Sequence, residues 1–284
     1  MLARLLARRT GPRLTLALGL TISLVYPAVA GAEEQWPGIR EHLYGARLIE
    51  AGERMITLDV PYRSGNDART VIGATLIAPA GRSIRTVTLV LDDNPMPVSA
   101  VFRLARPMTR FAFEATLRIN GPTPVHIVGE LDNGVLQAVQ GFVKTSGMGA
   151  CSAPPGSDPK AALQTLGNME ISINDQRGAS DDVLLSGFAR LRNQQVSMNL
   201  KISHPSHSGM QRDQISLLFI PLRYVERLEI DLDGHRFAEV TGSISLSENP
   251  EINLSIPAST QVIDVTMTDT DRTVARKSHR LTSY

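Results

Sequence analysis

Between Met55 and Val143, and again between Met169 and Thr268, apolar residues alternate with polar ones or gather in short runs bounded by turn chemistry. Phe111, Phe113, Ala115, Leu117 and Ile119 alternate with polar or small neighbours, as a strand with one buried face does. The same signal, with β-branched enrichment, predicts strands over Met55–Val60, Val71–Ile77, Val87–Leu91, Phe111–Ile119, Val125–Leu131 and Val135–Val143. Past residue 168 it predicts Met169–Ile173, Val183–Leu191, Val196–Ile202, Ile215–Ile220, Leu228–Leu232, Phe237–Val240, Ile252–Ile256 and Val262–Thr268. Asp132-Asn133-Gly134 and Asp233-Gly234 read as hairpin turns, and Asn120-Gly121-Pro122 as a further turn. Helical spacing is brief: Pro37 to Tyr44 puts Ile39 and Leu43 on one face, and Ala161, Leu163 and Leu166 follow a cap at Ser157-Asp158-Pro159.

Strands at this spacing, with no helix long enough for a crossover, predict an all-β chain of two immunoglobulin-like β-sandwiches. The stretch between them, Gly147 to Pro159, is rich in Gly and Pro and joins the two halves as a loop. Aromatic residues are 5% of the chain and Trp36 is its only tryptophan, so the cores must be mainly aliphatic.

The first thirty residues stand apart. Arg4, Arg8, Arg9 and Arg13 precede an apolar run from Leu14 to Val25, then Pro27 and Ala28-Val29-Ala30. This is the form of a cleaved signal peptide, cut after Ala30 or Ala32, and it implies an exported, periplasmic protein. General export and the twin-arginine route both remain open. The formal charge falls from +1 to −3 on losing those four arginines, which leaves no basic footprint for nucleic acid or an anionic membrane.

Cys151 is the only cysteine of the chain. In an exported protein an unpaired thiol is reactive or joins two chains. Gly147, Gly149, Ala150 and Ser152 surround it, none large enough to cover a sulfur, and they predict a loose arm that presents an exposed thiol. No Lys, Arg or His lies nearer in sequence than Lys144, so the expected pKa is the ordinary ~8.5. That suits a passive attachment point, with the chemistry left to partners.

Several segments carry a family resemblance. Leu91-Asp92-Asp93-Asn94-Pro95-Met96-Pro97-Val98 with Phe102 resembles the Asp-x-Asn-Pro-x-Pro-Val segment of SoxY, the sulfur-carrying subunit of bacterial thiosulfate oxidation. Arg118-Ile119-Asn120, Val125 and Glu130-Leu131-Asp132-Asn133-Gly134 are similar to the later part of that domain. Gly149-Ala150-Cys151-Ser152 resembles the Gly-Gly-Cys-Gly arm that holds the sulfur there, although here it is internal. His204-Pro205, Gly209, Arg212-Asp213 and Glu248-Asn249-Pro250 with Leu254 and Ile256 are similar to SoxZ. Pro205-Ser206-His207-Ser208-Gly209 departs from that family's common Pro-Met-Glu-Thr-Gly, which leaves the loop's recognition role open.

The resemblance implies a fused carrier of the type found beside periplasmic quinoprotein dehydrogenases. It divides the chain into a signal peptide (1–32), a SoxY-like sandwich (33–145), a cysteine-bearing arm and linker (146–167) and a SoxZ-like sandwich (168–284). The implied function is a non-enzymatic periplasmic carrier holding a sulfur intermediate covalently on Cys151 for partner redox enzymes, with no cofactor. The alternative is a non-catalytic accessory module for a quinoprotein dehydrogenase and its cytochrome c, and a disulfide-linked dimer is a third possibility. Asn94-Pro95 and Pro97 read as scaffold. His204, His207 and Met210 have donors suited to copper, but they read as a polar surface loop, and no metal site is expected.

Overall fold

The computed structural model describes residues 35–147, 149–153, 156, 158–174 and 195–281. The segment expected to be a signal peptide and the strand expected over Val183–Leu191 lie outside the described residues. A short helix, α1 (Trp36–Tyr44), is followed by β1 (Ile49–Ala51), β2 (Ile56–Asp59), β3 (Thr70–Ile77), β4 (Ile84–Leu91) and β5 (Val98–Met108). The first half closes with β6 (Arg110–Leu117), β7 (Thr123–Leu131) and β8 (Leu136–Val143). After α2 (Pro159–Gln164) come β9 (Met169–Asn174), β10 (Gln195–Ile202), β11 (Val225–Leu232) and β12 (His235–Thr241). The last strands are β13 (Glu251–Pro257), β14 (Val262–Asp269) and β15 (Val274–Arg280). No helix among them is long and apolar enough to cross a membrane.

The chain is all-β, and its two immunoglobulin-like sandwiches lie edge to edge rather than as separate bodies on a tether. One sheet runs β1-β8-β7-β4-β5-β12-β11-β14-β15 and the other β2-β3-β6-β13-β10-β9, so both layers continue from one half into the other. The seams are two antiparallel pairings. In one sheet Phe102 faces Val240 and Leu104 faces Ala238; in the other Phe113 faces Leu254 and Ala115 faces Ile252. A single apolar core follows, from Met55 in the first half to Met267 in the second. At the seam it is aromatic: Phe102 on β5 packs on Phe113 of β6 with ring centroids 4.3 Å apart, and Phe111 completes the trio.

The alternation that predicts the strands is the burial pattern itself: Ile252, Leu254 and Ile256 on β13 are buried while the residues between them are half-exposed. Four elements depart from expectation: β1 and β5 are strands where none is predicted, and two others differ as follows. Ile215–Ile220 is a turn-rich loop, and Ile215, Leu217, Leu218 and Phe219 stand out in solvent with 60–95% of their surface exposed. β15 was not foreseen because it is polar. It is an edge strand whose Arg276, Lys277 and Arg280 keep its free side from pairing with another chain. Trp36 fixes α1 by stacking on His126 (3.9 Å, 7°), whose Nδ1 lies 2.9 Å from buried Asp92.

Candidate functional site

The path from β8 to α2 brings the cysteine to the seam. Ser146 donates through its backbone and side chain to Asp67, and the Gly147 N–H donates to Thr145 Oγ1 at 3.1 Å. Gly149 then takes the left-handed backbone (φ +65°), which a side chain would resist, and its carbonyl accepts from the N–H groups of Ser152 (3.0 Å) and Ala153 (3.2 Å) and from Ser152 Oγ (3.0 Å). The four small residues therefore build a tight turn, with Gly147 also at positive φ, Ala150 buried and Ser152 exposed. Cys151 sits on this turn with 0% of its surface exposed. The expectation of an exposed thiol is corrected: small neighbours cannot cover the sulfur, but remote segments can.

Those segments come from both halves. On one side the Cys151 N–H donates to Asn120 Oδ1 (3.3 Å). Asn120 is itself held by its N–H to Asn94 Oδ1 (2.9 Å), and Asn94 Nδ2 donates to the Arg118 carbonyl (2.8 Å) and to Ser245 Oγ (2.9 Å). The Asn94-Pro95 motif is thus scaffold, and what it supports is the wall behind the cysteine.

On the other side lies the loop of residues 203–211. Ser208 Oγ donates to the Cys151 carbonyl, and Gln211 Nε2 to the Ala153 carbonyl at 3.0 Å. Gln211 Oε1 in turn accepts from the Ser208 N–H at 3.3 Å. The segment Pro205–Gly209 is therefore the outer wall of the site. Asn249 ties it down through Asn249 N–H to the His204 carbonyl (2.8 Å) and His204 N–H to Asn249 Oδ1 (3.0 Å).

His204 and His207 are buried, not surface residues, which corrects the reading of this loop. The Ser206 N–H donates to His204 Nδ1 at 2.9 Å, so the proton of the neutral ring is on Nε2, facing Asp269 Oδ2 at 3.4 Å. Burial outweighs that carboxylate and pushes the His204 pKa down to about 4. Arg223 Nε completes the network at 2.8 Å from Asp269 Oδ2. His207 Nδ1 faces Gln211 Oε1 at 3.3 Å. These rings brace the loop, and among the described residues no three His, Cys, Asp or Glu side chains converge as a metal site would need.

Arg118, one residue past β6, is the charged group that sequence distance hides. It is 2% exposed, and its Nη1 donates to the carbonyls of Ser206 (2.5 Å), Leu246 (2.8 Å) and Ile244 (3.4 Å). Burial pushes its pKa below the ordinary guanidinium value, while the thiol and Glu248 work in the other direction. Cys151 is pushed up to about 11 by burial, with Arg118 opposing in part. The expected value of ~8.5 is corrected accordingly, and the thiolate fraction at neutral pH drops to about one in ten thousand.

This shift makes alkaline stability a reporter of the site. Above the unfolded pKa near 9 the unfolded chain loses the thiol proton while the folded chain keeps it up to about 11. Stability therefore falls between those values, by roughly 2–3 kcal/mol in all. Denaturant titrations across that range should show the loss in the natural protein, and Cys151→Ser should remove it.

The architecture is that of a protein presenting one cysteine where two sandwiches meet, and comparison with known families gives its class. Residues 40–151 match the family model for sulfur oxidation protein SoxY, ending on Cys151 itself, and residues 188–280 match that for sulphur oxidation protein SoxZ. The chain belongs to the sulfur-oxidation carrier family. It is a fused SoxY–SoxZ protein, the SoxY domain first. No curated protein matches it.

Among solved structures it is similar to the sulfur carrier protein SoxY from Chlorobium limicola f thiosulfatophilum, at 16% identity over 39% of this chain and 96% of that one, with a TM-score of 0.35. A superoxide reductase (neelaredoxin) from Ignicoccus hospitalis gives 13% identity over 32% and 80%, with a TM-score of 0.27. A β-glucuronidase from Parabacteroides merdae gives 11% over 80% and 24%, with a TM-score of 0.23. The assignment rests on the two family models.

Proposed function

We propose that this protein is an exported, periplasmic, non-enzymatic carrier that holds a sulfur intermediate covalently on Cys151 and shelters it at the seam between docking events. The observation that carries the reading is the character of the burial. Cys151 is sealed but does not belong to the apolar core cluster, and its turn is held by three polar contacts, from Asn120, Ser208 and Gln211. A structural cysteine packs among aliphatic side chains; this one sits under a latch of hydrogen bonds, each contributing about 1 kcal/mol net.

A thiol with its pKa raised to about 11 does not activate itself, so loading falls to partners. Joining the thiol to thiosulfate gives Cys–S–S–SO₃⁻, forms one S–S bond, releases one proton and yields two electrons. Those electrons go to a partner redox protein, from sulfur oxidation or from a quinoprotein dehydrogenase and cytochrome c system. The exposed apolar side chains of Ile215, Leu217, Leu218, Phe219 and Leu222 support a role with protein partners, since clustered exposed apolar residues mark surfaces that other proteins cover.

Intact-mass spectrometry of protein purified from its native periplasm should find an adduct on Cys151. A uniformly free thiol, together with a Cys151→Ser strain that grows and respires normally, would reject carriage. A second reading, the accessory module, is favoured by the closure of the site in its resting arrangement. Under it, Cys151→Ser keeps the partner in a pull-down and leaves that partner's activity unchanged.

A further inference from the structure

Residues 207–223 fold back on themselves as a hairpin, held at its base by antiparallel bridges between His207 and Arg223 and between Arg212 and Phe219. The Ile220 N–H donates to the Gln211 carbonyl at 2.8 Å and the Arg223 N–H to the His207 carbonyl at 3.0 Å. Asp213 fixes the far end. Its Oδ1 accepts from the N–H groups of Ile215 (3.1 Å) and Ser216 (2.6 Å), and its carbonyl accepts from the Leu217 N–H (2.9 Å). On this ordered frame Ile215, Leu217, Leu218, Phe219 and Leu222 all stand in solvent, with Ile220 buried among them. Leu217 holds the left-handed backbone (φ +59°), which a glycine adopts freely and a leucine resists. A turn that needed only to close would carry Gly or Asn there. The leucine side chain therefore has a use outside the turn.

The size and make-up of the patch say what covers it. A large apolar side chain carries about 200 Å² of surface, so the exposed fractions of these five leave roughly 700 Å² in water on each copy. Single chains seldom leave so much in one patch. Two copies meeting there would bury about 1,400 Å², the area of a stable dimer. Residues 214–222 include no charged residue. Arg212, whose guanidinium lies 4.8 Å from the Phe219 ring centroid, borders the patch as a rim. Interfaces made and broken at each redox encounter are small and about as polar as ordinary surface, whereas those shared by copies of one chain are more apolar. The protein always at hand to cover such a patch is a second copy.

We propose that this hairpin is a homodimer interface, its apolar end covered by the same end of a second copy across a two-fold axis. Ser208 and Gln211, at the base, hold the Cys151 turn of their own copy, so pairing supplies no part of the shelter around the sulfur. Dimerisation is likewise independent of what Cys151 carries.

Sedimentation equilibrium of the purified protein in excess dithiothreitol, which removes any disulfide-linked dimer, tests this. At about 100 μM chain it should give twice the chain mass, with a Kd of about 1 μM or below. Leu218→Lys and Ile215→Lys each bury an unpaired charge in the contact and should each weaken the dimer about a hundredfold or more. Both positions are exposed in the single copy, so the denaturant midpoint of the dilute protein should stay unchanged. Leu48→Lys, at an exposed leucine of the first half, should leave the dimer intact, as should Cys151→Ser. A natural protein of single-chain mass at the higher concentration overturns the proposal without any variant and leaves the patch to a different protein. A dimer that survives both hairpin substitutions overturns it as well, by placing the contact elsewhere.

Discussion

In the folded protein Cys151 should react with a neutral alkylating reagent such as iodoacetamide two to three orders of magnitude more slowly than in the unfolded chain at the same pH. Reaction requires the turn to leave its seat, and three hydrogen bonds plus a small buried side chain set the cost at roughly 3–4 kcal/mol. Ser208→Ala and Gln211→Ala each remove one contact of the latch and should each raise the native rate about fivefold. Asn120→Ala should act in the same direction from the opposite wall. A native rate equal to the unfolded one would show that the turn is not held. A rate unchanged by all three variants would show that it is held by something else.

Truncating Phe102 to Ala should destabilise the whole molecule by about 3–5 kcal/mol, read as a drop in denaturant midpoint. Phe102 is fully buried on β5, the first-half strand that pairs with β12 at the seam, against Phe113 in the other sheet. Because β5 and β6 each pair with a strand of the second half, the loss should appear as one transition, with probes in both halves moving together. Two separated transitions would contradict the continuous core.

The fold was legible where the chemistry is local. Alternation such as Leu228-Glu229-Ile230-Asp231-Leu232 carries its own burial pattern, and Asp233-Gly234 states its own turn, with both residues at positive φ. The misreading at Ile215–Ile220 has a physical cause: an apolar run looks the same whether it faces a core or a partner. β15 was missed for the converse reason, since an edge strand needs polar residues and loses the apolar signal.

Around the cysteine, the sequence showed correctly that nothing adjacent could shield the sulfur or charge it. What shields it lies 31, 57 and 60 residues away, at Asn120, Ser208 and Gln211, and the nearby cation is Arg118. Only the juxtaposition of the two halves creates that environment. The departure at Pro205–Gly209 was visible as a departure. Its meaning, a loop carrying the serine of the latch, needed the fold.

Having both sheets pass uninterrupted through one polypeptide has a consequence for dilution. Were the two halves separate chains, the cradle around the sulfur would exist only while they were associated, and would empty as their concentration fell. Joined in this way, the effective concentration of one half for the other is fixed by covalent connection. The sheltered state is then equally available to a scarce protein and an abundant one.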